Sequence, residues 1–77
     1  MLNELVTYVA KSLVSKPEEV NVRVLEGDQT TVVELRVAKD DLGKIIGRQG
    51  RTVRALRTII AAASSHSSKR VSLELIE

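Results

Sequence analysis

Gly47 and Gly50 stand three apart in the run Ile45-Ile46-Gly47-Arg48-Gln49-Gly50, and a stretch studded with arginine follows them. Only 4 of the 77 residues are glycine. Glycine loses more conformational entropy on folding than any other residue, so a close pair marks a tight turn or a backbone that a ligand must approach. Lys44, Arg48, Arg51, Arg54, Arg57, Lys69 and Arg70 lie between Leu42 and Leu73 with no acid among them. That segment carries +7, while the rest sets five basic residues against ten acids, which leaves the whole at +2. Such asymmetry fits an anionic partner approaching from one side. A solvated helix face is the plainer account of a charge run, and the adjoining glycines tilt the reading towards binding.

Other chemistry is poorly supplied. The chain has no cysteine, which excludes disulfides, thiolate catalysis and cysteine-ligated metal. Its lone histidine, His66, sits in Ser64-Ser65-His66-Ser67-Ser68, where a polar loop is a better account than a nucleophile and its base. Asp40 and Asp41 are neighbours at an expected helix start, where capping explains them, and they lack metal-ligand company. No enzyme, metal or cofactor is therefore expected. Gly43-Lys44 is followed by Ile45, so a phosphate-binding P-loop is ruled out, and no GxGxxG occurs. Tyr8 is the only aromatic residue, which excludes the base-stacking platforms of RRM, OB-fold and cold-shock proteins.

The elements that must position the glycines and arginines follow from periodicity. Leu2, Leu5, Val6, Val9 and Leu13 have the spacing of an amphipathic helix over 2–14, which Lys16-Pro17 ends. Val20, Val22 and Val24 alternate with Asn21 and Arg23 as a strand. Gly27-Asp28-Gln29 is a turn, and Val33, Leu35 and Val37 mark a second strand over 31–37, antiparallel to the first. A short helix over 40–46 is expected to start at the aspartates and to stop at Gly47. A further helix runs from Gly50 to Ala63, with Val53, Leu56, Ile59, Ile60 and Ala63 on one arc and Arg51, Arg54 and Arg57 opposite. Val71, Leu73 and Leu75 alternate in a third strand. A strand–helix–helix–strand crossover places its strands parallel, so the sheet is mixed with the second strand central. The expected architecture is a single α+β domain over 1–77, a two-layer sandwich in the order α-β-β-α-α-β with all helices on one face.

Leu42-Gly43-Lys44-Ile45-Ile46-Gly47-Arg48-Gln49-Gly50-Arg51-Thr52-Val53 resembles the signature of KH domains, an aliphatic pair, a GxxG loop and an aliphatic residue three positions on. Gln49 departs from the small or basic residue many KH loops carry there. Helix–GxxG–helix after two strands resembles the type II arrangement. The helix-first order, the length and the entry Val-Ala-Lys-Asp-Asp-Leu-Gly are similar to small stand-alone bacterial KH proteins of the KhpA type.

The resemblance implies a cytoplasmic RNA-binding protein, an RNA chaperone or post-transcriptional regulator, with single-stranded RNA as partner. Gly47 and Gly50 would admit a phosphodiester to the main chain. The helix N-terminus at Gly50-Arg51-Thr52 would attract phosphate, as would the charges of Arg48, Lys44, Arg51 and Arg54. Gln49 would lie at the loop tip. Bases would lie beside Ile46 and Val53, which serve equally well as core. Homodimerisation is expected for so short a chain, through Ile76, Val32, or Ala61 and Ala62, and the resemblance adds pairing with a larger multidomain KH protein. A KH-shaped protein-interaction module and a single-stranded DNA binder are the alternatives. No membrane partner is expected, because no run nears the roughly 20 apolar residues that span a bilayer.

Overall fold

The computed structural model describes residues 2–65 and 68–76. Its first helix, α1, spans Leu2–Leu13. After Lys16 a 3-10 turn at Pro17–Glu19 leads into β1, Asn21–Glu26. The Gly27 N–H closes the hairpin onto the Thr30 carbonyl at 2.8 Å, and β2 runs through Thr30–Arg36. A second 3-10 turn at Lys39–Asp41 precedes α2, Leu42–Ile46. The loop follows, then α3, Arg51–Ala63, and finally β3, Arg70–Ile76. The loop expected over 64–68 includes residues 66 and 67, which lie outside the described residues.

The sheet order is β1-β2-β3. The β1–β2 pair is antiparallel, with Val22 opposite Leu35 and Val24 opposite Val33. The β2–β3 pair is parallel, with Val33 opposite Leu73 and Leu35 opposite Leu75. Each of these pairs lies on the side facing the helices, because side chains alternate along a strand. Val33, Leu35 and Leu73 form the buried floor, and Val6, Ala10, Ile45, Val53, Leu56 and Ile60 descend onto it from the three helices. This is the expected α+β sandwich with a mixed sheet and a central second strand.

Two side chains depart from the helical-wheel expectation. Periodicity puts Ile59 on the apolar arc of the last helix, yet it is 45% exposed. The arc is centred on Val53, Leu56 and Ile60, and Ile59 lies about 100° round from Ile60, outside it. Leu13 closes its helix and is 38% exposed. The β1 ladder continues past Val24 through Leu25–Val32 and Glu26–Thr31.

Candidate nucleic-acid interface

The loop is built from three departures from ordinary backbone within four residues. Gly47 has φ 76° and ψ 172°, a combination open essentially to glycine alone. Its N–H reaches the Gly43 carbonyl at 2.8 Å and closes α2. Gln49, at φ 57° and ψ 25°, is left-handed without being glycine, a conformation that costs about 1–2 kcal/mol. Gly50 is also left-handed, at φ 75°. Its N–H returns to the Gly47 carbonyl at 3.1 Å, and α3 starts at the next residue. The chain thus reverses within Arg48–Gly50 and delivers the free N–H groups of a 13-residue helix beside the loop. An Arg54 guanidinium nitrogen donates to the Gln49 carbonyl at 3.2 Å and braces the turn from the helix side.

The two glycines are not equivalent in what surrounds them. A Cβ at Gly47 would collide with the Thr52 side chain and lie 2.9 Å from the Thr52 nitrogen. That space is filled by the protein itself. Among the described residues, a Cβ at Gly50 would meet only the Arg54 guanidinium, at 3.9 Å. Gly50 therefore leaves the main chain open, and Gly47 lets Thr52 pack beneath the loop.

Among the other sequence-predicted residues, Arg48, Gln49, Arg51 and Arg54 are exposed. Ile46 is 37% exposed at the loop's edge, whereas Val53 is 7% exposed and belongs to the core. Lys44 is held from one side: its ammonium lies 3.4 Å from Asp41 Oδ1 and donates to Ser15 Oγ.

Asp41 overturns a local expectation. Neither aspartate caps the helix start, for the side chain of Asp41 at the N-cap makes no bond to α2. Its carboxylate accepts the Ser15 N–H at 3.0 Å and the Lys16 N–H at 2.9 Å, across the chain at the end of α1. Asp40 is exposed and pairs with Lys16 at 3.7 Å. The Ser15 backbone N–H, helped by those of Lys16 and by Lys44, holds the Asp41 carboxyl below its ordinary range against the opposing effect of burial.

A depression of about 190 Å³ lies between α3 and β3, lined by Arg57, Ile60, Val71, Ser72 and Leu73. Arg57 donates to the Leu73 carbonyl at 3.3 Å, so the basic side of α3 continues from the loop to the β3 edge. Sequence reasoning placed Arg57 in the basic arc but had no signal for Ser72 or Val71, which the parallel crossover brings beside it.

The family model described as KhpA/KhpB, KH domain, matches residues 3–75. This chain belongs to the KhpA/KhpB KH-domain family. It is similar to the RNA-binding protein KhpA of Borreliella burgdorferi, 47% identical over 74 residues that cover 96% of this chain and 90% of that one. The RNA-binding protein KhpA of Chlamydia pneumoniae is 46% identical over 76 residues, covering 99% of this chain and 97% of the relative. That of Clostridium perfringens is 45% identical over 75 residues, covering 97% and 100%.

Proposed function

We propose that this protein binds single-stranded RNA through the Gly47–Gly50 loop and the basic side of α3, and acts as an RNA chaperone or post-transcriptional regulator. The observation that carries the reading is the left-handed turn at Gln49 and Gly50. It leaves the Gly50 backbone uncovered next to the N-terminus of α3, with Arg48 and Gln49 exposed at its tip. Unpaired N–H groups and the positive end of the helix dipole favour phosphate there. Arg51 and Arg54 add charge along the track, and bases rest against Ile46 with Thr52 and Val53 as the floor beneath. Strain at a non-glycine residue is retained where function uses it, and Gln49 offers an amide for a base or sugar. The names of the relatives support RNA as the ligand.

The test is a double substitution, Arg48→Asp with Gln49→Asp. Both side chains are exposed, so the fold persists while two negative charges face the phosphates. Binding of labelled single-stranded RNA at moderate salt is lost; retention of the parent affinity rejects the loop as the site. Single-stranded DNA of the same sequence, titrated alongside, decides between the two nucleic acids.

A homodimer is part of the same reading, and one observation favours a particular face. Ala55, Ile59 and Ala62 are exposed along one side of α3 with no charged residue between them on that side. A second copy docks there without apposing arginines, as a twofold pair must use the same patch twice. A larger KH protein of the same family is the alternative occupant. Sedimentation equilibrium reads the outcome, with a mass fixed at 8.5 kDa at every concentration excluding the dimer.

A further inference from the structure

The helix that carries the loop cannot hold itself. α2 has five residues, whereas isolated helices need roughly 12–15 to persist in water. Two anchors fix its direction. Ile45 is wholly buried against the sheet and the other helices, which sets the helix height. Burial of one side chain leaves rotation about it open. The second anchor removes that freedom: Asp41, 1% exposed, sits immediately before α2 and receives two main-chain N–H groups from the segment after α1. Those bonds join residues 26 and 25 positions apart. Lys44, one turn further along α2, closes the arrangement by bridging Asp41 and the Ser15 hydroxyl.

We propose that Asp41 and Lys44 are positioning residues for RNA binding: they clamp α2 to the α1–β1 connector and so aim the loop, and neither contacts the RNA. The inference rests on the loop's being the RNA site. A recognition site must be held within about 0.5 Å of its productive geometry, and Gly47 begins where α2 ends. A charge-assisted bond from a carboxylate to two backbone N–H groups is stronger than a neutral one and fixes two directions at once. The Lys44 ammonium, neutralised by Asp41, is not free to displace counterions from a phosphate, which separates it from Arg48 and Arg54.

The test uses the full chain and a labelled single-stranded RNA of randomised sequence, titrated by anisotropy at several salt concentrations. The temperature is one at which circular dichroism shows every variant folded. Asp41→Asn puts an amide where two N–H donors converge. It is expected to weaken binding by about tenfold, with a salt slope equal to that of the unsubstituted protein. Lys44→Met weakens binding less and also leaves the slope unchanged. Unchanged affinity in folded Asp41→Asn overturns the proposal, and so does a fall of about one unit in the slope of Lys44→Met, the mark of a lost phosphate contact. Should Asp41→Asn not fold, Lys44→Met, altered at a side chain 49% exposed, decides alone. The Arg48→Asp, Gln49→Asp protein is run beside them. Its loss of binding keeps the loop as the site even if the clamp fails, and its retention of binding removes the site and the clamp together.

Discussion

One side of α3 carries Arg51, Arg54 and Arg57, and the other carries Ala55, Ile59 and Ala62. Both are exposed, and both flank the same buried row of Val53, Leu56 and Ile60. They also start from different glycines. The apolar side begins above Thr52, which occupies the space that Gly47 leaves empty; the basic side begins at Gly50, where an added Cβ would come near the Arg54 guanidinium. A single helix thus presents three faces: a core, a basic side and an apolar strip. The contrast shows that exposure and amphipathicity are separate properties. A two-way division into apolar and charged arcs merges the strip with the core and conceals it.

The strongest way to break this comparison is at its root. Gly47→Ala forces a side chain into Thr52 and into a backbone conformation closed to alanine, and should lower stability by about 3 kcal/mol. Gly50→Ala meets open space and bears only the left-handed strain of about 1–2 kcal/mol, so its main effect falls on RNA. Urea unfolding of the two variants measures the difference, and equal losses would mean the glycines have one role. Next in size, Ile59→Asp should weaken self-association at least tenfold by placing like charges across a twofold contact, with the salt slope of RNA binding unchanged. Sedimentation and titration of the same sample read both quantities. Arg54→Ala should do the converse, lowering the salt slope by about one unit and leaving the mass alone. Arg36→Ala, on the sheet face away from the helices, should lower it by less; equal slopes for the two would dissolve the distinction between the faces.

The smallest effect concerns acid. The Asp41 carboxyl titrates below its ordinary range in the folded chain, chiefly because the Ser15 N–H bonds to the charged form. Its stabilising contribution is therefore complete above the unfolded value, about 3.9, and fades as pH falls through the folded value. Unfolding midpoints measured downward from neutral pH should drop more steeply below pH about 4 in the unsubstituted protein than in Asp41→Asn, while the two curves run parallel above it.

The order of elements was legible in the sequence because each is declared locally. Alternation at 20–24, 33–37 and 71–75 marks strands, the heptad-like spacing of Leu2 to Leu13 marks a helix, and crossover geometry dictates the mixed sheet. The loop was legible because glycine at both ends of Arg48-Gln49 has few other uses. What stayed hidden depends on contacts distant in sequence. Capping rules read Asp41 against its own helix, whereas its partners are Ser15 and Lys16. The rule that glycine admits a ligand cannot say that Thr52 already fills one of the two spaces. Ile59 escaped because a helical wheel has no information on how wide the covered arc is, and the sheet beneath α3 is only three strands across.

Every residue of β3 pairs with one forty positions earlier in β2, from Thr30–Arg70 to Arg36–Ile76. Closing so long a connection carries an entropic penalty before any of its contacts form, and parallel pairing of this kind is slow to assemble. On the ribosome, α1, the hairpin, the loop and α3 emerge first, while one edge of β2 has no neighbour. The wall formed by Val71, Ser72 and Leu73 opposite Arg57 is therefore missing until the final strand has been made. A nascent chain then has its glycine loop but only the α3 side of that depression, and its open strand edge is the part most exposed to wrong pairing. The parallel ladder thus makes the depression wait on the synthesis of β3.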